Sequence, residues 1–170
     1  MRFTFEHHDP ETYRRKARFI SLAMAGQLIV FALVFSQLLA LAFGGGFWFN
    51  VLGVVLGLVA TSLVFAVLRE RPWMGEMRYV WQLKHHLSRV SAYLPALRRG
   101  MGEENVTALD VMAFYHQGMA QLAELNGRTL DDDAELIAER ETVRLARQAH
   151  GLDERVEGFD PDDLSAFKRG

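Results

Sequence analysis

Between Phe19 and Leu68 the chain carries no charged side chain, whereas from Val80 onward apolar residues recur three and four apart among charged ones. The uncharged stretch is interrupted once, at Gly44-Gly45-Gly46, where helix propensity collapses, and Phe47, Trp48 and Phe49 follow at once. Each side of the break is long enough to cross a hydrocarbon layer of roughly 30 Å at about 1.5 Å per residue. The pattern predicts transmembrane helices over 19–43 and 51–68, the second starting as early as Phe47. A short non-cytoplasmic loop, 44–50, joins them, with Asn50 accepting the turn or capping the second helix. Residues 1–18 read as a cytoplasmic basic helix leading into the first span, and 69–170 as a cytoplasmic helical domain with an acidic tail. The fold class is all-α.

Two other readings of the apolar stretch fit less well. A pair of soluble core helices would each need a polar face, and these have almost none. Ala40-Leu41-Ala42 imitates a signal-peptidase site, but the run before it exceeds the usual apolar core of a signal peptide and a second span follows immediately.

In the polar remainder, Asp9-Pro10-Glu11 has the form of a helix start, and His7 and His8 before it fall in a loose terminus. Pro72 restarts the chain after the second span. Val80, Leu83, Leu87, Val90, Leu94 and Leu97 then form a heptad seam, weakened at its end by Pro95. The seam packs onto the helices that follow, or makes a coiled-coil contact with a second copy or a partner. Gly100-Met101-Gly102 reads as a break, and Thr107 with Asp110 as the cap of a helix lined by Leu109, Met112, Met119 and Leu122, which Asn126-Gly127 ends. Thr129 to Asp133 opens another helix, with Leu136, Ile137, Val143 and Leu145 on its apolar face, and His150-Gly151 closes it. Asp160-Pro161 starts a last short helix carrying Leu164 and Phe167. No alternation of period two predicts a strand anywhere.

Composition changes this picture only through where the charges lie. A net charge of −2 conceals a basic excess up to Arg99 and an acidic one beyond Glu103. That segregation suits an anionic membrane surface and argues against a nucleic-acid partner, which would ask for a basic patch on a soluble domain. Arg14, Arg15, Lys16 and Arg18 precede the first span, Arg69, Arg71, Arg78 and Lys84 follow the second, and the connecting loop has no Lys or Arg. The positive-inside rule therefore places both ends in the cytoplasm. Trp48, Trp73, Tyr79 and Trp81 are candidate interfacial anchors.

Within the spans, Ala32, Ser36, Ala40 and Gly44 form one small-residue stripe and Gly53, Gly57 and Thr61 another. Such stripes permit close backbone approach in lipid, either within the hairpin or against another chain. Gln27 and Gln37 are the only strongly polar side chains there, each expected to find an interhelical hydrogen bond, and no ionisable residue suggests an ion path.

Candidate chemistry is sparse. The chain has no cysteine. His85 and His86 are adjacent and point about 100° apart on a helix, and no metal-ligand spacing, phosphate loop or nucleophile elbow occurs. No catalytic, cofactor-binding or metal-binding residue is assigned. Asp131 to Asp133 read as solvated acids at a helix start rather than a cation site.

The segments "DPETYRRKAR", "NVLGVVLG", "RPWMGEMRYVWQLKHHLSRV", "FYHQGMAQLAELNG" and "HGLD" resemble, in this order, the small proteobacterial inner-membrane proteins grouped as domain of unknown function 3087. The resemblance implies a multi-pass protein of the bacterial inner membrane with a cytoplasmic helical region, and it carries no catalytic residues. The expected function is that of a non-enzymatic scaffold, adaptor or accessory subunit. Its partners are the lipid bilayer and either a second copy or another membrane protein. Two rival expectations are a lipid or curvature effector acting through the basic-aromatic zone from Arg69 to Arg89, and an unrecognised enzyme using His85, His86, His116 or Tyr115.

Overall fold

A computed structural model describes residues 2–130 and 133–167. The chain is built almost wholly from helices, and it divides into two compact units. One is the continuous segment Thr12–Arg78; the other combines Met1–Glu11 with Tyr79–Gly170.

The first unit is made mainly from α1 (Pro10–Phe43) and α2 (Phe47–Leu68), both long and apolar enough to cross a membrane. The basic N-terminal segment and the first apolar run are one uninterrupted helix, because Pro10 stands at its start and only a single glycine, Gly26, falls before the Gly44–Gly46 run. All three glycines of the connection adopt positive φ (87°, 72° and 155°), conformations that a side chain disfavours. Helix α2 begins at Phe47, so Asn50 lies inside it and Gly46 takes the capping position. Phe43 and Phe49 stack across the connection at 5.6 Å. A 3-10 turn at Pro72–Met74 then leads into α3 (Gly75–Ser91).

The second unit packs α3, α4 (Leu94–Gly102), α5 (Val106–Leu125) and α6 (Ala134–Ala149). Val80, Leu83, Leu87, Val90 and Leu97 are buried in its core with Leu109, Met112, Phe114 and Leu125. Gly118 lets α5 approach α3 closely: a Cβ there would lie 2.9 Å from Leu87 Cδ2. The heptad seam is thus occupied by the chain's own helices. It is also divided between α3 and α4, since the chain turns at Ala92-Tyr93 and Pro95 lies in the first turn of α4. Buried in the core, Val80, Leu83, Leu87, Val90 and Leu97 do not offer a surface to a second copy.

Several local expectations shift. Gly100 and Gly102 stay helical, and the break falls at Glu103-Glu104, where Glu104 has φ 58°. Asn105, not Thr107, caps α5, its side chain accepting from the Ala108 N–H at 3.2 Å. Asp133 caps α6 by accepting from the Leu136 N–H, while Asp131 and Asp132 lie outside the described residues. The last element is a 3-10 helix, Pro161–Phe167, with Leu164 buried.

Two short strands also form where none is predicted. β1 (Phe3–Thr4) pairs antiparallel with β2 (Gly158–Phe159), and the Phe5 N–H donates to the Glu157 carbonyl beyond them. The driving contact is aromatic: Phe3 and Phe159 both pack on Phe114, at 5.8 and 4.6 Å between ring centroids. The segment before α1 is therefore tied into the core formed by the helices after α2. A signal peptide ending at Ala42 would carry that strand away.

Candidate functional site

In the first unit the two small-residue stripes meet each other. A Cβ on Gly53 would come within 2.7 Å of Ser36 Cα, and one on Gly57 within 2.7 Å of the Ala32 backbone nitrogen. Gly53, Gly57 and Thr61 are buried while most of the large side chains on the outer faces stay exposed. The stripes therefore pack the hairpin against itself. Gly44 does not continue the stripe, because it has left the helix and is exposed. The hydrogen bond across the hairpin comes from Ser36 Oγ to the Asn50 carbonyl at 3.3 Å; Gln37 is exposed and neither glutamine supplies it.

The candidate anchors separate into two kinds. Trp48, Trp73 and Trp81 are exposed, at 78%, 46% and 68%. Tyr79 is buried, its hydroxyl donating to Gln121 Oε1 at 2.7 Å and accepting from the Glu6 N–H at 3.1 Å. It is a core residue and not an interfacial anchor, because it lies on the seam side of α3. Of the flanking charges, Lys16 pairs with Glu76 at 2.8 Å, and Arg15, Arg18, Arg69, Arg71, Arg78 and Lys84 are exposed.

The residues of the enzyme reading are dispersed. His85 is exposed and stacks on Trp81 at 6.0 Å. His86 points the other way, between Phe3 and Phe159, and burial holds its pKa below the usual imidazole range. His8 packs on the Tyr79 ring at 4.6 Å, so this histidine is held and not loose. Tyr115 lies edge-on to His116, and burial raises its pKa. Among the described residues no three His, Asp or Glu side chains converge as a metal site.

A cleft of about 500 Å³ does bring polar groups together, in the second unit. Its floor is the face of α5 bearing Ala113, His116, Gln117, Ala120 and Gln121; its wall is the face of α6 bearing Arg140, Val143, Arg144 and Arg147. The two helices run antiparallel, since Asp110 pairs with Arg147 and His116 faces Glu139. Two glutamines one turn apart fix the rims. Gln117 donates to the Val156 carbonyl and accepts its N–H, both at 3.2 Å, and Gln121 donates to the Glu6 carbonyl at 2.6 Å.

His116 is 3% exposed, and neither ring nitrogen has a hydrogen-bond partner. Its Nε2 lies 3.4 Å from Glu139 Oε2, but Glu139 is engaged by Arg98 Nε at 2.5 Å. Burial lowers the His116 pKa and outweighs the opposing pull of Glu139. Arg147 is committed to Asp110 and the Asp153 carbonyl, and Arg144 to Glu141. The apolar face that the sequence gives α6 includes Val143, which lines this cleft beside the arginines. The recurrence of arginine at 140, 144 and 147 was the legible hint of one stripe; the rims at Phe5–His7 and Glu154-Arg155 had no local signal.

Compared with known proteins, residues 3–164 match the family described as Protein of unknown function (DUF3087). No curated protein and no solved structure matches the chain.

Proposed function

This chain belongs to the DUF3087 family, whose description assigns no activity, and we propose that it is a two-span protein of the bacterial inner membrane with both termini cytoplasmic. It acts without chemistry of its own, as an accessory or adaptor subunit that holds a helical domain at the membrane surface. The observation that carries this reading is the pairing of β1 with β2. A strand before α1 bonded to one after α2 requires an even number of crossings between them, and two suitable helices lie there. The basic flanks on both sides of the hairpin and the uncharged Gly44–Gly46 connection supply the direction.

The lipid bilayer is the first partner. Leu22, Ile29, Leu33 and Leu41 on α1 and Val55, Val59 and Leu63 on α2 are exposed, and in water such a surface far exceeds what a soluble protein leaves uncovered. With the glycine stripe and the heptad seam both consumed internally, contact with a second copy or another membrane protein uses these outer faces. Trp73 and Trp81 anchor the cytoplasmic interface, with Lys84 one turn from Trp81 on α3. Alkaline phosphatase fused at Gly45 should be active, and a fluorescent reporter that folds only in the cytoplasm should shine when fused after Gly170. The opposite pattern would sink the topology.

A further inference from the structure

We propose that the α5–α6 cleft binds a small molecule bearing a single oxyanion group, a phosphate monoester or a carboxylate, held by His116, Arg140 and Arg155. Three independent observations lead there. The cleft's volume of about 500 Å³ suits a small ligand. His116 lines it, is buried, and has neither ring nitrogen hydrogen-bonded; Glu139 Oε2 stands 3.4 Å from Nε2, its charge shared with Arg98. Unsatisfied polar atoms of this kind are uncommon in folded proteins, because each forfeits the hydrogen bonds it would make in water. A neutral imidazole carries one N–H, which an oxyanion accepts.

The third observation concerns charge. Four arginines border the cleft, and two are already neutralised: Arg147 by Asp110 and Arg144 by Glu141. Arg140 and Arg155 take part in no hydrogen bond or ion pair among the described residues, although both line the cavity. Guanidinium groups offer paired N–H donors that match the oxygens of a phosphate or carboxylate. The carboxylates on the same rim, Glu6, Glu124 and Glu154, limit the charge that the cleft accepts. A polyphosphate would meet them as repulsion, whereas a single oxyanion seated between the arginines would not. Ala113, Ala120 and Val143 leave an apolar patch for the remainder of the molecule.

The oxyanion has two possible sources, a soluble metabolite or a lipid headgroup. Full-length protein in nanodiscs of zwitterionic lipid is titrated with inorganic phosphate by calorimetry, and the titration is repeated in nanodiscs containing phosphatidic acid. One saturable site is expected in the zwitterionic discs. Arg140→Gln and Arg155→Gln, both changes at exposed positions, should each weaken it about tenfold, the loss of one charge-assisted contact. Arg128→Gln, outside the cleft, should leave it unchanged. Suppression of the phosphate signal by phosphatidic acid would identify a headgroup ligand, and its persistence a soluble one. No saturable binding in either disc, or equal binding by the Arg140→Gln/Arg155→Gln double variant, would overturn the proposal.

Discussion

Tyr79 shows how much one hydroxyl can organise. It joins the Glu6 N–H to Gln121 Oε1, and Gln121 in turn donates to the Glu6 carbonyl, so three residues from the N-terminal segment, α3 and α5 close a ring of hydrogen bonds. Removing the oxygen leaves a backbone donor and a side-chain acceptor without their partner, at a cost of about 1–3 kcal/mol. Tyr79→Phe should therefore lower the denaturation midpoint in detergent, read by circular dichroism, while Trp81→Phe should leave it in place. An equal response of the two variants would contradict this assignment. The distinction was open to a closer reading of the sequence. With about 100° of rotation per residue, Tyr79 falls beside the line of Leu83, Leu87 and Val90, and Trp81 falls on the opposite side. Composition alone groups these aromatics together; helix phase separates them.

Among the elements, the hairpin is held by glycines whose neighbours are backbone atoms. A Cβ added to Gly57 would lie 2.7 and 2.9 Å from the Ala32 nitrogen and Cα, and a helix backbone cannot swing aside as a side chain does. Gly57→Val should separate α1 from α2 and cost about 1–3 kcal/mol of thermal stability in detergent. Gly26→Val, where an added Cβ meets nothing within 4 Å, is the matching control and should be near neutral. Indistinguishable melting of the two would remove the close-packing account. The helices themselves were legible, because long apolar runs and three-four periodicity are local properties. The strands were not: a two-residue strand has no period, and Gly158-Phe159 pairs with Phe3-Thr4 only because Phe114 offers a shared aromatic surface. The cleft has no local signature for the same reason. Its walls come from helices adjacent in sequence, but its rims come from segments more than a hundred residues apart.

For the whole molecule, stability should depend on pH through two histidines, His116 buried and His86 half-buried. His86 and His116 both have pKa values lowered, mainly by burial. Once unfolded they return to the ordinary value of about 6.5. Above that pH both are neutral in either state, and they contribute no slope. Below it the unfolded chain takes up protons that the folded chain resists, so stability falls as pH falls. Denaturation midpoints should drop from pH 7.5 to pH 5.5, and the His86→Gln/His116→Gln variant should show a flatter profile. An unchanged slope in that variant would assign the acid sensitivity elsewhere.

The pairing of β1 with β2 also sets an order of events during synthesis. Phe3 leaves the ribosome early, while Gly158 and Phe159 emerge only after both apolar helices and α3 to α6 have been made. The aromatic cluster around Phe114 is complete only with the last strand, so β1 lacks its strand partner throughout elongation. In the two-span topology proposed above, insertion of the hairpin therefore precedes closure of the domain. In that same topology, a stalled or shortened chain that stops before Gly158 would reach the bilayer with the β1–β2 pairing still missing, a ready mark for quality-control proteases.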